Sequence, residues 1–324
     1  MQGIREELPV ENLNEHTKVL VAYDGSGAAN AAVDDLRKAG LPERGEARVV
    51  CVAHGEFQTH ESAKDQDGSS WTSRLGEAEA LAETATNRLL RNFPNWTVSS
   101  EALWGEPAKV LLDVCGRWHP DLLVVGSHGR STIARMFLGS VSLELVHKAP
   151  CSVRITRSVG SSNPRGPIQL IIAHDGSPES EAIIHCVSGR RWPDNSEARI
   201  VSVIQPLVPA TTALDASTFA QEPAYALICA ADERMRLHFA NIASETTNAL
   251  RRAGLIATHS IIDGDPREVL LSKADEWRAD TIFIGARGLG RMERLFLGSV
   301  SSHIVTHAHC TVEVVRRIVN SQGE

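Results

Sequence analysis

Short runs rich in Val, Ile and Leu punctuate the chain at 18–23, 47–53, 121–126 and 151–156. Several are almost continuously apolar rather than alternating, which predicts strands of a sheet covered on both faces. Between them, apolar residues recur at helical spacing. Leu75, Ala78, Leu81, Ala85 and Leu89 form one stripe, and Val110, Leu111, Val114 and Trp118 form another. Strands separated by helices of this length predict parallel βαβ units with right-handed crossovers.

The pattern then repeats. Val19-Leu-Val-Ala-Tyr-Asp24-Gly-Ser matches Leu170-Ile-Ile-Ala-His-Asp175-Gly-Ser, 151 residues later. Ala47–Val52 matches Ala198–Val203 at the same offset. Farther along the offset is 159, so that Gly105-Glu-Pro107 matches Gly264-Asp-Pro266 and Gly126 matches Gly285. Helical stripes return at Met235, Phe239, Ile242 and Thr246, then at Val269, Leu270 and Trp277. The extra residues of the second copy fall between Gln205 and about Ala230, a stretch rich in Pro, Ala and Thr that predicts a longer loop. A Gly/Ser/Pro-rich stretch, Ser158–Pro167, reads as a linker. The predicted organisation is a tail at 1–16, one α/β domain at 17–157, the linker at 158–167, a second α/β domain at 168–317, and a tail at 318–324.

Composition narrows the function classes. The 324 residues are 42% hydrophobic and 23% charged, as in soluble globular proteins. A net charge of -7 argues against a broad basic face for nucleic acid, and 5% aromatic residues argue against base-stacking platforms. The polar, acidic start has no apolar core of a secretory signal, and no run of about 18 apolar residues predicts a membrane span. Six cysteines without a CxxC pair read as reduced thiols of a cytoplasmic protein.

The candidate chemistry lies in two glycine loops. Gly126-Ser-His-Gly129 is followed nine residues later by Gly139-Ser140, and Gly285-Ala-Arg-Gly288 by Gly298-Ser299 at the same spacing. Gly126 and Gly285 end strands, where the lack of a Cβ lets a ligand approach the backbone. Gly129 and Gly288 allow a sharp turn that gathers N–H groups into one concavity. Gly139-Ser140 and Gly298-Ser299 precede apolar stripes and predict helix N-termini, which attract anions. Each serine could cap its helix or donate to a phosphate. Each loop carries a local charge of +2: Arg130 and Arg135 in the first, and Arg287, Arg291 and Arg294 less Glu293 in the second. That suits a polyphosphate. No GxxxxGK[S/T] is present, and neither Gly25-Ser-Gly27 nor Gly288-Leu-Gly290 completes a dinucleotide fingerprint.

Asp-Gly-Ser after the first strand, Gly-x-Pro before the third helix and the G-2x-G-9x-G-S loop together resemble the universal stress protein family, in its ATP-binding branch. The resemblance covers nearly the whole chain as two fused family domains. It implies an α/β fold of two tandem doubly wound domains, each a five-stranded parallel sheet in order 3-2-1-4-5 with helices on both faces. It implies an adenine-nucleotide pocket in each half, for ATP with Mg²⁺ on the phosphates. By matching position, Ala22, Asp24 and Val52 would touch adenine or ribose, and Gly126, Gly129, Gly139 and Ser140 would hold ribose and phosphates beside Val141. The second set is Ala173, Asp175, Val203, Gly285, Gly288, Gly298, Ser299 and Val300. Arg130 and Arg291 join the two sets as loop arginines. The halves would form a pseudo-dimer along their fifth strands, and family habit implies a further homodimer of chains.

Asp24 and Asp175 have two readings, as acceptors for the ligand or as turn residues fixing Asp-Gly-Ser. Ser26 and Ser177 are the better helix caps, with Pro178 at the first helical position. His128 could reach phosphate or only pack. His303 and His307, four apart with His309 following, lack a Glu or Cys to complete a metal site. Trp118 and Trp277 read as core. No catalytic triad, cysteine nucleophile or carboxylate base within a glycine loop is indicated, so nucleotide binding in stress regulation is expected. A slow ATPase, a nucleotidyl-transfer enzyme and a scaffold with vestigial sites are the alternatives.

Overall fold

The computed structural model describes residues 17–55, 71–129, 138–157, 166–205, 223–288 and 297–317. The first half runs β1 (Thr17–Ala22), α1 (Gly27–Asp35), β2 (Gly45–Ala53), α2 (Trp71–Asn92), β3 (Thr97–Trp104), α3 (Pro107–Trp118), β4 (Leu122–Gly126), α4 (Ser140–Lys148) and β5 (Ser152–Thr156). The second runs β6 (Gln169–Ala173), α5 (Pro178–Ser188), β7 (Glu197–Ile204), α6 (Pro223–Arg252), β8 (Ile256–Asp263), α7 (Pro266–Trp277), β9 (Thr281–Gly285), α8 (Ser299–His307) and β10 (Thr311–Val315). Each half is a parallel α/β unit.

The ten strands among the described residues form one sheet, in the order β3-β2-β1-β4-β5-β10-β9-β6-β7-β8. Pairing is parallel within each half, and only the β5–β10 junction is antiparallel. The two outer strands, β3 and β8, carry polar residues such as Ser99, Ser100, Thr258 and His259, so the apolar runs alone do not reveal them.

Side chains alternate across the strands and build different cores on the two faces. On one face, Leu20, Val125, Val153 and Ile155 of the first half join Ile171, Ile282, Ile284 and Val314 of the second in a continuous core. On the other face the cores are separate. Val19, Val21 and Val124 pack with Ala32 and Leu89 of α1 and α2, while Leu170, Ile172 and Phe283 pack with Ile183 and Leu250 of α5 and α6. Between those two cores lies a buried ionic row. Arg154 Nε donates to Asp35 Oδ2 at 2.8 Å, Arg154 Nη1 donates to Glu313 Oε2 at 2.9 Å, and Arg190 Nη1 donates to the same Oε2 at 3.0 Å.

Of the loop predicted between Gln205 and about Ala230, residues 206–222 lie outside the described residues, and the remainder takes a different form. α6 has 30 residues against 22 for α2, and it begins at Pro223, so residues 223–230 are helical. Met235 sits on an exposed part of this helix, whereas Phe239 and Thr246 are buried. Trp118 and Trp277 are half-buried and pack against the edge of the continuous core. Each is roofed by an arginine, Arg48 at 4.9 Å and Arg199 at 4.0 Å from the ring centre.

Candidate functional site

The first element of each site is a turn built by the sequence Asp-Gly-Ser. Asp24 Oδ1 accepts from Ser26 N at 2.9 Å, and Asp175 Oδ1 accepts from Ser177 N at 3.0 Å. The serine hydroxyls then cap the following helices, Ser26 accepting from Ala29 N and Ser177 from Ser180 N, with Pro178 at the first helical position of α5. The aspartates therefore do not stand free, because one oxygen of each fixes the turn. The other oxygen faces the glycine loop. A Cβ added to Gly129 would lie 2.9 Å from Asp24 Oδ2, and one added to Gly288 would lie 2.5 Å from Asp175 Oδ2. Both readings of these residues apply at once, one to each oxygen.

The second element ties the last helix of each half to the fourth strand. Gly139 N donates to Ser127 O at 2.7 Å, and Ser142 Oγ donates to Gly126 O at 2.8 Å. In the second half, Gly298 N donates to Ala286 O at 2.8 Å, and Ser301 Oγ donates to Gly285 O at 2.6 Å. Gly139 and Gly298 are the caps of α4 and α8 and supply no side-chain bond. Ser140 and Ser299 are the first helical residues, exposed, and are not the caps. The leading N–H groups of both helices thus meet no capping side chain, an arrangement that favours an anion.

In the second half these elements enclose a cavity of about 320 Å³. Ala173, Asp175, Val203, Gly285, Gly288, Gly298, Ser299 and Val300 all line it, so the eight described residues expected there come together. Arg291 and Arg130 lie outside the described residues. Sequence reasoning missed Val201, Pro266, Leu270 and Ile284, which make the apolar wall. Pro266 carried a signal, since it belongs to the repeated Gly-x-Pro motif. In the first half, Ala22, Asp24, Val52, Gly126, Gly129, Gly139, Ser140 and Val141 occupy the equivalent places at the ends of β1, β2 and β4 and the start of α4.

A family model for the universal stress protein family matches residues 15–157 and again 169–316. The chain belongs to the universal stress protein family. A universal stress protein of Mycobacterium tuberculosis is 26% identical over 234 residues, covering 68% of this chain and 70% of that one. A universal stress protein A-like protein of Arabidopsis thaliana is 41% identical over 54 residues, 17% of this chain, and the chain spans about a third (31%) of that relative's length. Among solved structures, a universal stress protein from Archaeoglobus fulgidus superposes with a TM-score of 0.59 at 20% identity, covering 93% of this chain and 96% of that one.

Within this universal stress protein fold, two sequence expectations change their physical reason. Gly126 does not leave room for a ligand: a Cβ there would lie 2.8 Å from the backbone carbon of Ala28 and 2.9 Å from the nitrogen of Ala29. Its role is close strand–helix packing, which brings the Asp24 turn down onto the sheet. Gly285 is crowded in the same way, with Arg287 O at 3.0 Å and Glu179 Cβ at 3.1 Å. The charge count changes too. Arg287 lies 3.4 Å from Glu179 of α5, so a carboxylate distant in sequence offsets one cation of the second loop. In the first loop, His128 Nδ1 lies 2.9 Å from Ser127 Oγ.

The remaining histidines divide by environment. His303 and His307 stack at 4.1 Å on α8, and among the described residues no group of three or more His, Cys, Asp or Glu is placed to hold a metal. His174 is buried, neither ring nitrogen has a hydrogen-bond partner, and burial lowers its pKa. Its ring meets His259 edge-on, with centroids 6.5 Å apart. Burial lowers His259 to about 4. No helix among the described residues is long and apolar enough to cross a membrane.

Proposed function

We propose that this universal stress protein binds an adenine nucleotide in each half and acts as a nucleotide-dependent regulator of a stress response. The observation that carries the reading is the second-half cavity. Its apolar wall suits a base. Its other side offers a glycine loop, the exposed hydroxyl of Ser299 and a helix N-terminus without a capping side chain, which suit phosphate. Asp175 Oδ2 points at the loop from the turn and supplies an acceptor for ribose hydroxyls. ATP is the nucleotide of this reading. Mg²⁺ would arrive on the phosphates, as nucleotide-bound Mg²⁺ usually does.

Binding rather than turnover is the function favoured. The turn carboxylate that faces each loop, Asp24 or Asp175, already spends one oxygen on its own turn, which suits a positioning group better than a general base. Calorimetric titration with ATP, with and without Mg²⁺, tests the proposal. Two sites per chain are expected, and absence of heat up to millimolar ATP would overturn it. A mass spectrum of ligand released from the purified protein distinguishes ATP from ADP or AMP. Multiple-turnover release of ADP or AMP would instead favour the enzymatic alternative.

A further inference from the structure

The seam between the halves carries charges that break its own symmetry. The 159-residue offset relating Gly126 to Gly285 also relates Arg154 to Glu313. The antiparallel register of β5 and β10 pairs these two residues directly. The pseudo-twofold axis of the molecule therefore passes between them. Their strand neighbours are interchangeable across the axis, Val153 with Val312 and Ile155 with Val314. So are the flanking arginines. Arg157 Nη2 donates to the carbonyls of Val305 and Thr306 at the end of α8, at 2.8 and 2.7 Å. Arg316 Nη2 mirrors this on Val146 and His147 of α4, at 2.7 and 3.0 Å. A seam built of these residues alone would suit two copies of either half equally well.

Arg154 and Glu313 do not suit like pairing. Both side chains are 0% exposed. They are the middle of a row of alternating sign, Asp35, Arg154, Glu313, Arg190. The outer members are asymmetric as well, for the repeat places Cys186 opposite Asp35 and Ala39 opposite Arg190. Pairing the first half with its own copy would set Arg154 against Arg154 and leave Nη1 without its acceptor. Pairing the second half with its copy would set Glu313 against Glu313. Like charges directly opposite on neighbouring strands repel, and burial removes the water that would screen them.

We propose that the Arg154–Glu313 pair makes this sheet edge selective for the unlike half: it accepts the complementary half of a chain and rejects a copy of itself. Repulsion against the wrong pair, rather than added attraction for the right one, sets the choice. Association of whole chains then proceeds through surfaces other than the fifth strands.

The test uses the whole chain with a specific protease site introduced within residues 158–165 and cut after purification. The cut protein is taken through a dissociating concentration of urea and back, and its complexes are weighed by native mass spectrometry. Pairs holding one copy of each half are expected, with like pairs depleted at least roughly tenfold below random pairing. Like pairs at their random share overturn the proposal, as do halves that return unpaired. The same procedure on R154M/E313M, which removes charge from the axis, should restore like pairs. If that variant does not fold, the unsubstituted cut chain still decides the matter.

Discussion

Asp175 Oδ2 lies 2.5 Å from the place where a side chain on Gly288 would begin, so the turn after β6 and the glycine loop after β9 leave no room for a methyl group. Ser177 N holds the other carboxylate oxygen at 3.0 Å, which limits how far Asp175 can swing away. Gly288→Ala is therefore expected to displace the acceptor assigned to the proposed nucleotide while leaving the hydrophobic core intact. Titration calorimetry should show one ATP site per chain instead of two, or a second site weakened at least roughly tenfold. The unfolding midpoint in urea should barely move. Two unchanged sites would show that Asp175 is not a ligand contact.

Gly126→Ala has the opposite signature. Its new methyl would strike the backbone of Ala28 and Ala29, which cannot rotate away as a carboxylate can. A stability loss of roughly 1–3 kcal/mol is expected from this overpacking. Urea unfolding of Gly126→Ala beside Gly129→Ala checks it. Equal losses for the two would show that the strand–helix approach is softer than the geometry states.

Arg157→Met strips two carbonyls of α8 of their donor, and Arg316→Met does the same to α4. Each should lower unfolding free energy by roughly 0.5–2 kcal/mol, the cost of leaving part-buried acceptors unmade. The two effects should be similar because the contacts are mirror images. A variant without effect would mean that water replaces the guanidinium at no cost.

Acid should weaken the second half through His259. Its folded pKa of about 4 lies below the ordinary 6.5, so the unfolded chain takes up the proton first. The stability it contributes is complete above pH 6.5 and drains away as pH falls towards 4. Burial lowers His174 as well, with Asp175, Glu181 and His238 also acting on that ring. His259→Gln keeps a partner for Ser202, which now lies 2.9 Å from Nε2, and should lose less in Tm between about pH 7 and pH 5 than the unsubstituted chain. Equal acid losses would assign the effect to other groups.

The repeat, the central strands and the strand-end residues of the sites were legible because each is a local pattern: an apolar run, a helical stripe or a fixed glycine spacing. The second-half cavity gathers Ala173, Val203, Gly285 and Ser299 from stretches far apart in sequence, yet the repeat had marked all of them. What depended on tertiary approach was not legible. Nothing near Gly126 in sequence announces that α1 will press on it, and nothing near Arg287 announces Glu179. Residues 223–230 are helix where a loop was predicted, because Pro, Ala and Thr composition does not distinguish an irregular stretch from the extra turns of a helix. Arg154 and Glu313 did leave a trace, as single charges inside the fifth apolar runs. Their meaning needed the register that sets them face to face.

The antiparallel junction of β5 and β10 has a consequence for access. Within each half the strands run in parallel and the candidate site opens beyond their carboxyl ends. Because the direction reverses at the junction, the two mouths open on opposite rims of a single sheet. One flat partner cannot cap both at once. A nucleotide bound in one half, as proposed, would therefore face a different neighbour from one bound in the other.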